Sequence, residues 1–550
     1  MLKDIKTTLG NINREMEEKH AAELAAALGL NYINLSGYPM VEEVLAVIPE
    51  EMATIHKVVP YLRLNNQVKV GVVDPNDIEC LNYLDQISKE KSFSFNVSVI
   101  SQSSLLYALE NYKLYREKEV ERQAKHEQEL NDIRNLDIKD MKSAAEAAKS
   151  ASTTKLLDVL LVGAMRLDAS DIHFEPIEGN FVTRYRVDGV LQEIVVLPLI
   201  KYHQLVSRIK FMSGLRMDIS DKPQDGRFSF APPDGEAIDF RVSLMPSAYG
   251  ESIVLRLLNT DKAIIGMDKM GFRPDALNAI KSAVSKPHGM VITSGPTGSG
   301  KSTTLYAVLM TLKKPGVKII TLEDPVEYKI DGIEQSQVKP GLGYEFADGL
   351  RASLRQDPDI LMVGEIRDLQ TAEIAVQAAL TGHLLLSTIH ANSAPAVYAR
   401  FIDMGVKPFL LSGSINLIMA QRLVRRVCQK CAEKYQPEQA EWSQILERLL
   451  PYKARIIKEV ADKLTPTPPV LLRAKGCPEC SMTGYSGREV IVEYIIPNEV
   501  IETLITQKAS IMVFEREALR LGMITMETDG LIKAIEGSTT KEEVWRVTKG

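Results

Sequence analysis

The sequence predicts a multidomain α/β protein organised around a parallel-sheet nucleotide-binding domain. Three observations carry that prediction. The chain has 550 residues, enough for three to five domains, each with its own core. Between residues 289 and 390, "GMVITS", "VKIITLED", "DILMVGE" and "HLLLSTIH" are near-continuous apolar runs, which suit parallel strands buried on both faces. The first of these runs leads into a glycine-rich loop and then a helical stretch.

Taken in order, residues 1–112 read as a small α/β docking domain. "HAAELAAALGL" is expected to be a helix ending near Gly29, and "VEEVLAVIPEEMA" a second helix. "KVVPYLRLNNQVKVGVVDPND" reads as two strands around an Asn-Asn turn, stopped by Asp-Pro-Asn-Asp. Residues 113–149 are expected to be a charged linker, since 14 of the 25 residues from Arg116 to Asp140 are charged with both signs mixed. Residues 150–262 form a second α/β module, with helices in "TTKLLDVLLVGAMRL" and "YHQLVSRIKFMSG" and short strands in "FVTRYRVDGVLQEIVVL". The nucleotide domain is expected over 263–420, a cysteine-bearing insert over 421–496, and a helical region over 497–550.

Composition excludes several classes. With 66 Lys and Arg against 72 Asp and Glu, the net charge is −6, and no basic stripe points to nucleic acid. The first twenty residues hold no apolar core suited to a secretory signal, and no run approaches the roughly 18 apolar residues that span a bilayer. A cytoplasmic protein that meets a membrane only through partners is expected.

The loop Gly295-Pro296-Thr297-Gly298-Ser299-Gly300-Lys301-Ser302-Thr303 matches G-x-x-x-x-G-K-[ST] in full. Its glycines allow successive backbone N–H groups to converge on phosphates, and the following helix adds its partial positive charge. Lys301 is expected to reach the β- and γ-phosphates of ATP, and the Ser302 hydroxyl to ligate Mg²⁺. Turnover needs acids nearby. "ILMVGEIRD" places Glu365 just past an apolar strand, and "TLEDPVEY" places Glu323, Asp324 and Glu327 at the end of another. A Gly-Glu tip rather than an Asp favours water activation by Glu365 over direct metal ligation. His383 and His390 bracket "LLLST" and are candidates for sensing the γ-phosphate.

Five cysteines occur: Cys80, read as a small core residue, and the pairs Cys428-x-x-Cys431 and Cys477-x-x-Cys480. The two pairs suit tetrahedral S₄ ligation of Zn²⁺ in a closed, structural site. Binding energies of about 10–16 kcal/mol for such sites lead to the expectation that the metal largely folds its own insert.

"GPTGSGKST", "TLEDPVEY", "ILMVGEIRD" and "TGHLLLSTIH" resemble, in order and spacing, the signature boxes of the ATPases of type II secretion and type IV pilus assembly. "ASDIHFEP", "RYRVDG", "PQDGR" and "FRVSLMP" resemble the same family's preceding domain. The resemblance implies a RecA-like ATPase core with a PAS-like α/β domain before it, assembled as a homohexameric ring with ATP between subunits. It implies arginines of the preceding domain closing over the γ-phosphate, here Arg227 and Arg241. It makes Glu327 and Glu365 functional, leaving open which holds metal and which activates water. "QRLVRRVCQKC" and "GCPECSMTGYSGR" resemble the metal-binding insert of assembly-type members. The expected function is therefore a motor acting on an inner-membrane platform protein to assemble a type IV pilus. A type II secretion pseudopilus motor and an ATP-dependent regulatory switch are the alternatives.

Overall fold

The computed structural model describes residues 2–91, 93–116, 138–232, 235–258 and 265–549. The chain divides into two compact units, Met1–Arg134 and Asn135–Gly550.

In the first unit, a helix over Leu2–Leu28 ends at Gly29, whose φ of 68° is the left-handed conformation that closes helices. A four-stranded sheet follows, ordered Asn31–Tyr32, Ser94–Val99, Gln67–Val72 and Val58–Leu64. The last two strands are the predicted hairpin, turning at Asn65 with φ 55°. "VEEVLAVIPEEMA" is not one helix. It is Glu42–Leu45 and Glu50–Ile55, because Pro49 disfavours helical backbone at the residue before it and itself sits at ψ 147°. Cys80 is buried in this unit's core as expected, and burial pushes its thiol up to about 11.

Most of the predicted charged linker, 117–137, lies outside the described residues. Its end belongs to the second unit. Asp140 caps a helix over Met141–Ser150, accepting from the Ser143 N–H at 2.8 Å, and Ala144 and Ala148 face the core one turn apart. The linker boundary at 149 is therefore too late, because the alanine spacing supplies a packing face that the charge count conceals.

That helix, with Leu156–Arg166 and Leu199–Met212, covers one face of a six-stranded antiparallel sheet. The strand order is Val190–Pro198, Asn180–Val187, Ala169–Ile177, Gly250–Leu258, Ile238–Ser247 and Gln224–Phe230. Ile172, Phe174, Tyr185, Phe240, Val242 and Leu255 fill the core face. Alternation sends Asp171, Arg186, Arg227, Arg241 and Arg256 to the other face.

The nucleotide domain is a seven-stranded sheet ordered Glu334–Gln337, Ile319–Glu323, Ile360–Val363, Leu384–Ile389, Gly289–Ser294, Ile415–Val427 and Tyr485–Ile495. The first six strands run parallel and the last is antiparallel. The strands formed by the four apolar runs are wholly buried, as two-sided cover requires. The strand Ile415–Val427 runs straight across the expected boundary at residue 420, and Tyr485–Ile495 returns to the same sheet. The insert proper is thus residues 428–484.

The insert also has its own apolar core. Trp442, Ile445, Leu449, Val460 and Leu471 pack with Ile532, Ile535 and Val544 of the C-terminal helices, and the Trp442 indole donates to the Thr465 carbonyl at 2.7 Å. The expectation that metal largely folds this insert is therefore too strong. The C-terminal region is helical as predicted, over Glu499–Thr506, Ile511–Leu521, Met526–Glu536 and Lys541–Thr548. Buried Asp529 ties it to the sheet, accepting from the Val492 N–H at 2.7 Å and pairing with Arg273 at 2.9 Å.

Candidate functional site

The strand Gly289–Ser294 delivers the chain into the phosphate loop, and the helix Lys301–Leu312 begins at its far side. Gly295, Gly298 and Gly300 have φ of 141°, 79° and 85°. A side chain on Gly295 would put a Cβ 2.5 Å from the Gln421 carbonyl oxygen and 2.7 Å from Ser299 Oγ. That close approach lets the loop wrap tightly over the helix N-terminus.

Gln421 was not foreseen. Its side-chain amide donates to the Ser299 carbonyl at 2.8 Å and accepts from Thr304 Oγ1 at 2.9 Å, bracing loop and helix together. A lone amide at the end of the apolar run "LIMAQ", fully buried in the structure, was the available signal.

Lys301 folds over the loop, donating to the carbonyls of Gly295 at 2.8 Å and Pro296 at 3.0 Å. Burial of its ammonium pulls it below the usual lysine range, while Glu365 opposes that shift. A lysine held this way gains by meeting an anion.

A cleft of about 440 Å³ lies above the loop. Thr297 to Thr303 line it, together with Glu323, Asp324, Glu327, Glu365 and His390. Glu365 sits between Arg367, with which it forms a close ion pair, and His390 Nε2 at 3.3 Å. Glu323 is buried and fully engaged, accepting from Tyr306, from Thr321 Oγ1 at 2.6 Å and from Gln335 Nε2 at 3.0 Å. Glu327 forms a long ion pair with Arg241, Nη1 to Oε1 at 4.0 Å. Arg241 Nη2 is buried without a hydrogen-bond partner, a donor that a phosphate oxygen could satisfy.

Arg227 stands directly opposite Arg241 on the neighbouring strand and is exposed. His383 is not brought to the cleft. It stands before the six-residue strand Leu384–Ile389, whose rise of about 3.3 Å per residue puts it about 20 Å from His390. Its Nδ1 lies 3.1 Å from the Ala378 carbonyl, at the opposite end of that strand from His390. Two histidines that bracket a strand necessarily face opposite ends of it.

A second cleft of about 430 Å³ continues from the first, sharing Ser170, Leu257, Gly300, Thr303 and Tyr328. Its walls come from the six-stranded sheet on one side and from Leu423 and Val490 of the seven-stranded sheet on the other. A phosphate cradle opening onto a partly apolar groove has the form of a nucleotide site.

The comparisons with known proteins decide the family. Residues 146–546 match the family described as type II/IV secretion system protein, and residues 28–119 match the MshEN domain. The chain belongs to the type II/IV secretion system protein family. It is an ATPase of that family. It is 37% identical over 542 residues to the type IV pilus assembly ATPase PilB of Myxococcus xanthus, covering 98% of this chain and 93% of that one. It is 43% identical over 406 residues to the type II secretion system ATPase E of Vibrio cholerae, covering 74% of this chain and 77% of that one. Among solved structures, the Legionella pneumophila ATPase DotB aligns with a TM-score of 0.52 at 22% identity, covering 73% of this chain and 97% of that one, a likeness of fold alone.

The second site of this secretion-family chain is the cysteine cluster. Sγ atoms of Cys428, Cys431, Cys477 and Cys480 all lie within 4.8 Å of one another. The pairs 428–477, 431–480 and 477–480 are 3.9, 3.8 and 3.7 Å apart. Zn–S bonds of about 2.3 Å in a tetrahedron set ligand edges of about 3.8 Å, so the sulfurs stand where a tetrahedral metal needs them. Burial raises the Cys480 thiol, but the N–H groups of Cys477 and Gly484 outweigh it and bring it down to about 7. Among the described residues no helix is long and apolar enough to cross a membrane.

Proposed function

We propose that the chain is the ATP-hydrolysing motor that assembles a type IV pilus, working as a homohexameric ring against an inner-membrane platform protein. The observation that carries the pilus reading is coverage. Pilus assembly relatives align over 96% and 98% of this chain, first unit included, whereas the type II secretion relatives align over 74–75% of it. Identity favours the second reading, a type II secretion motor, because the shorter alignments reach 42–45% against 35–37%. In both readings the protein sits in the cytoplasm and reaches the membrane only through partners.

On this reading ATP enters the two joined clefts with its phosphates on the loop Gly295–Thr303. Lys301 releases the Gly295 and Pro296 carbonyls and takes the β- and γ-phosphates. The Ser302 hydroxyl would hold Mg²⁺ arriving with the nucleotide, which would neutralise charge on the phosphate oxygens. Glu365 orients the attacking water and accepts its proton, with His390 and Arg367 fixing its carboxylate. Glu327 completes the acidic wall opposite. Arg241 brings its unpaired N–H to the γ-phosphate, and Arg227 adds charge beside it. Cys428, Cys431, Cys477 and Cys480 would hold Zn²⁺ in a closed structural site beside the ends of two neighbouring sheet strands, away from the hydrolytic cleft.

The test is ATP hydrolysis by the full chain beside Glu365→Gln, with oligomeric state followed by light scattering. The parent should turn over as a hexamer. The variant should bind ATP but hydrolyse about 10²-fold more slowly or less. A parent that binds nucleotide as a ring and never hydrolyses it would remove the motor reading.

A further inference from the structure

The strand Leu384–Ile389 ends its pairing at Ile389, opposite Ser294, so His390 is the first residue beyond the hold of the sheet. Ala391, Asn392 and Ser393 belong to no helix or strand, and the chain is next fixed at Ala394, where the helix Ala394–Asp403 begins. The stretch from His390 to Ala394 spans about 14 Å at most when fully extended. Whatever anchors Ala394 therefore limits where the His390 imidazole can stand against Glu365.

That anchor is a carboxylate on the last strand of the sheet, Tyr485–Ile495. Glu493 is 5% exposed, and its Oε1 accepts from the Ala394 N–H at 2.9 Å. Its Oε2 accepts from the Met526 N–H at 3.2 Å, at the start of the helix Met526–Glu536. Both helices already have caps of their own: Ser393 Oγ accepts from the Ala396 N–H at 3.3 Å, and Thr525 Oγ1 from the Thr528 N–H at 3.2 Å. Glu493 takes the first N–H of each, so two partial positive helix ends converge on one carboxylate. Burying a carboxylate is costly, and two capped helices do not require one. One turn into the first helix, Tyr398 stacks on Phe514 of the helix Ile511–Leu521 with ring centroids 5.1 Å apart, both side chains wholly buried. The segment after His390 is thus gripped twice by the C-terminal part of the chain.

We propose that Glu493 is a positioning residue for ATP hydrolysis: its carboxylate fixes the start of the helix Ala394–Asp403, and thereby the short segment that presents His390 to Glu365. Its second oxygen ties that grip to the helix Met526–Glu536, so the C-terminal region bears on the water-activating carboxylate although this helix lines neither cleft. This role rests on Glu365 and His390 acting in hydrolysis, which the turnover of the parent and of Glu365→Gln tests separately.

The experiment measures kcat and KM for ATP, together with the thermal midpoint, in the full-length chain. Glu493→Gln keeps the shape but turns an amide N–H toward one of the two donors. It should lower kcat about tenfold while KM stays within about twofold, because the phosphate loop is untouched. His390→Gln should lower kcat as well, and the double variant should be no slower than the slower single one, because Glu493 acts through His390. Thr525→Ala weakens the cap of the same C-terminal helix and leaves the Ala394 bond in place. It should lower the thermal midpoint by a few degrees with kcat close to the parent. If Glu493→Gln fails to fold, Glu493→Asp, which keeps the charge and draws it back from both N–H groups, takes its place in the cycle with the same expectations. Losses additive with those of His390→Gln, parent-like kcat in the Glu493 variant, or an equal kcat loss in Thr525→Ala would overturn the proposal. A parent that does not hydrolyse ATP sinks the underlying reading instead.

Discussion

The nucleotide cleft and the cysteine cluster of the second unit are both clasps between separate stretches of chain, yet they are finished to different degrees. The cluster is closed on itself: four sulfurs face one another, and N–H groups of Cys477 and Gly484 already serve Cys480. The cleft is left incomplete. Lys301 rests on loop carbonyls, Arg241 Nη2 is buried with no partner, and Ser299 Oγ likewise has none. Unsatisfied buried donors cost stability, and the two beside this cleft are groups that a bound phosphate could satisfy.

That contrast breaks most visibly if metal is removed. Chelation should strip hydrogen-exchange protection from residues 428–432 and 476–484, since structural zinc sites supply about 10–16 kcal/mol in small domains. Helix Gln439–Leu449 should stay protected, because Trp442, Ile445 and Leu449 have an apolar core of their own. ATP affinity should not move. Loss of nucleotide binding on chelation would show that the two sites are one cooperative unit.

The converse test is Lys301→Ala. Affinity for ATP should fall about 100-fold, the upper range for a hydrogen bond to a charged group, while the thermal midpoint stays within a few degrees. Equilibrium binding of a fluorescent ATP analogue, read beside a melting curve, checks both. A large stability loss would mean that the lysine holds the empty loop together rather than waiting for phosphate.

How much of this was legible beforehand depends on whether a site is contiguous in sequence. The phosphate loop is one unbroken stretch whose glycines have a single physical use, and the cysteine pairs carry their spacing with them. The charged face of the six-stranded sheet is not contiguous: Asp171, Arg186, Arg227, Arg241 and Arg256 meet only through strand register, which turn lengths set. Arg227 and Arg241 were reached by resemblance, and Arg256 was not. Gln421 was hidden for another reason, as the first residue of "QRLVRRVCQKC", a stretch read only for its cysteines. The edge strand Glu334–Gln337, "EQSQ", has no apolar residue to announce it, and the strands flanking the cysteines were absorbed into the insert.

A smaller effect sharpens the comparison inside the cleft. Gly295→Ala puts a methyl against the Gln421 carbonyl and Ser299 Oγ in a backbone conformation that side chains rarely adopt. Strain of this kind costs about 1–3 kcal/mol. The loop should lose ATP affinity about tenfold, with a thermal midpoint lowered by a few degrees. Equal affinity would mean that the loop can shift away from Gln421, so that the brace does not set its shape.

The weakest expected effect concerns the hold of the six-stranded sheet on the nucleotide domain. The turn of "RYRVDG" places Asp188 at φ 49° and Gly189 at φ 81°, and Asp188 Oδ2 accepts from the Gly487 N–H at 3.0 Å. Asp188 and Gly487 both line the second cleft, so this bond closes one wall of it without touching the phosphate loop. Asp188→Ala removes the acceptor on an exposed contact, worth about 0.5–1.5 kcal/mol. ATP affinity should fall only about two- to tenfold, and kcat should hold if the bond shapes the groove rather than the phosphate end. A kcat loss as large as that of Glu365→Gln would mean instead that the turn carries the phosphate end with it, and that groove and phosphate site move as one body.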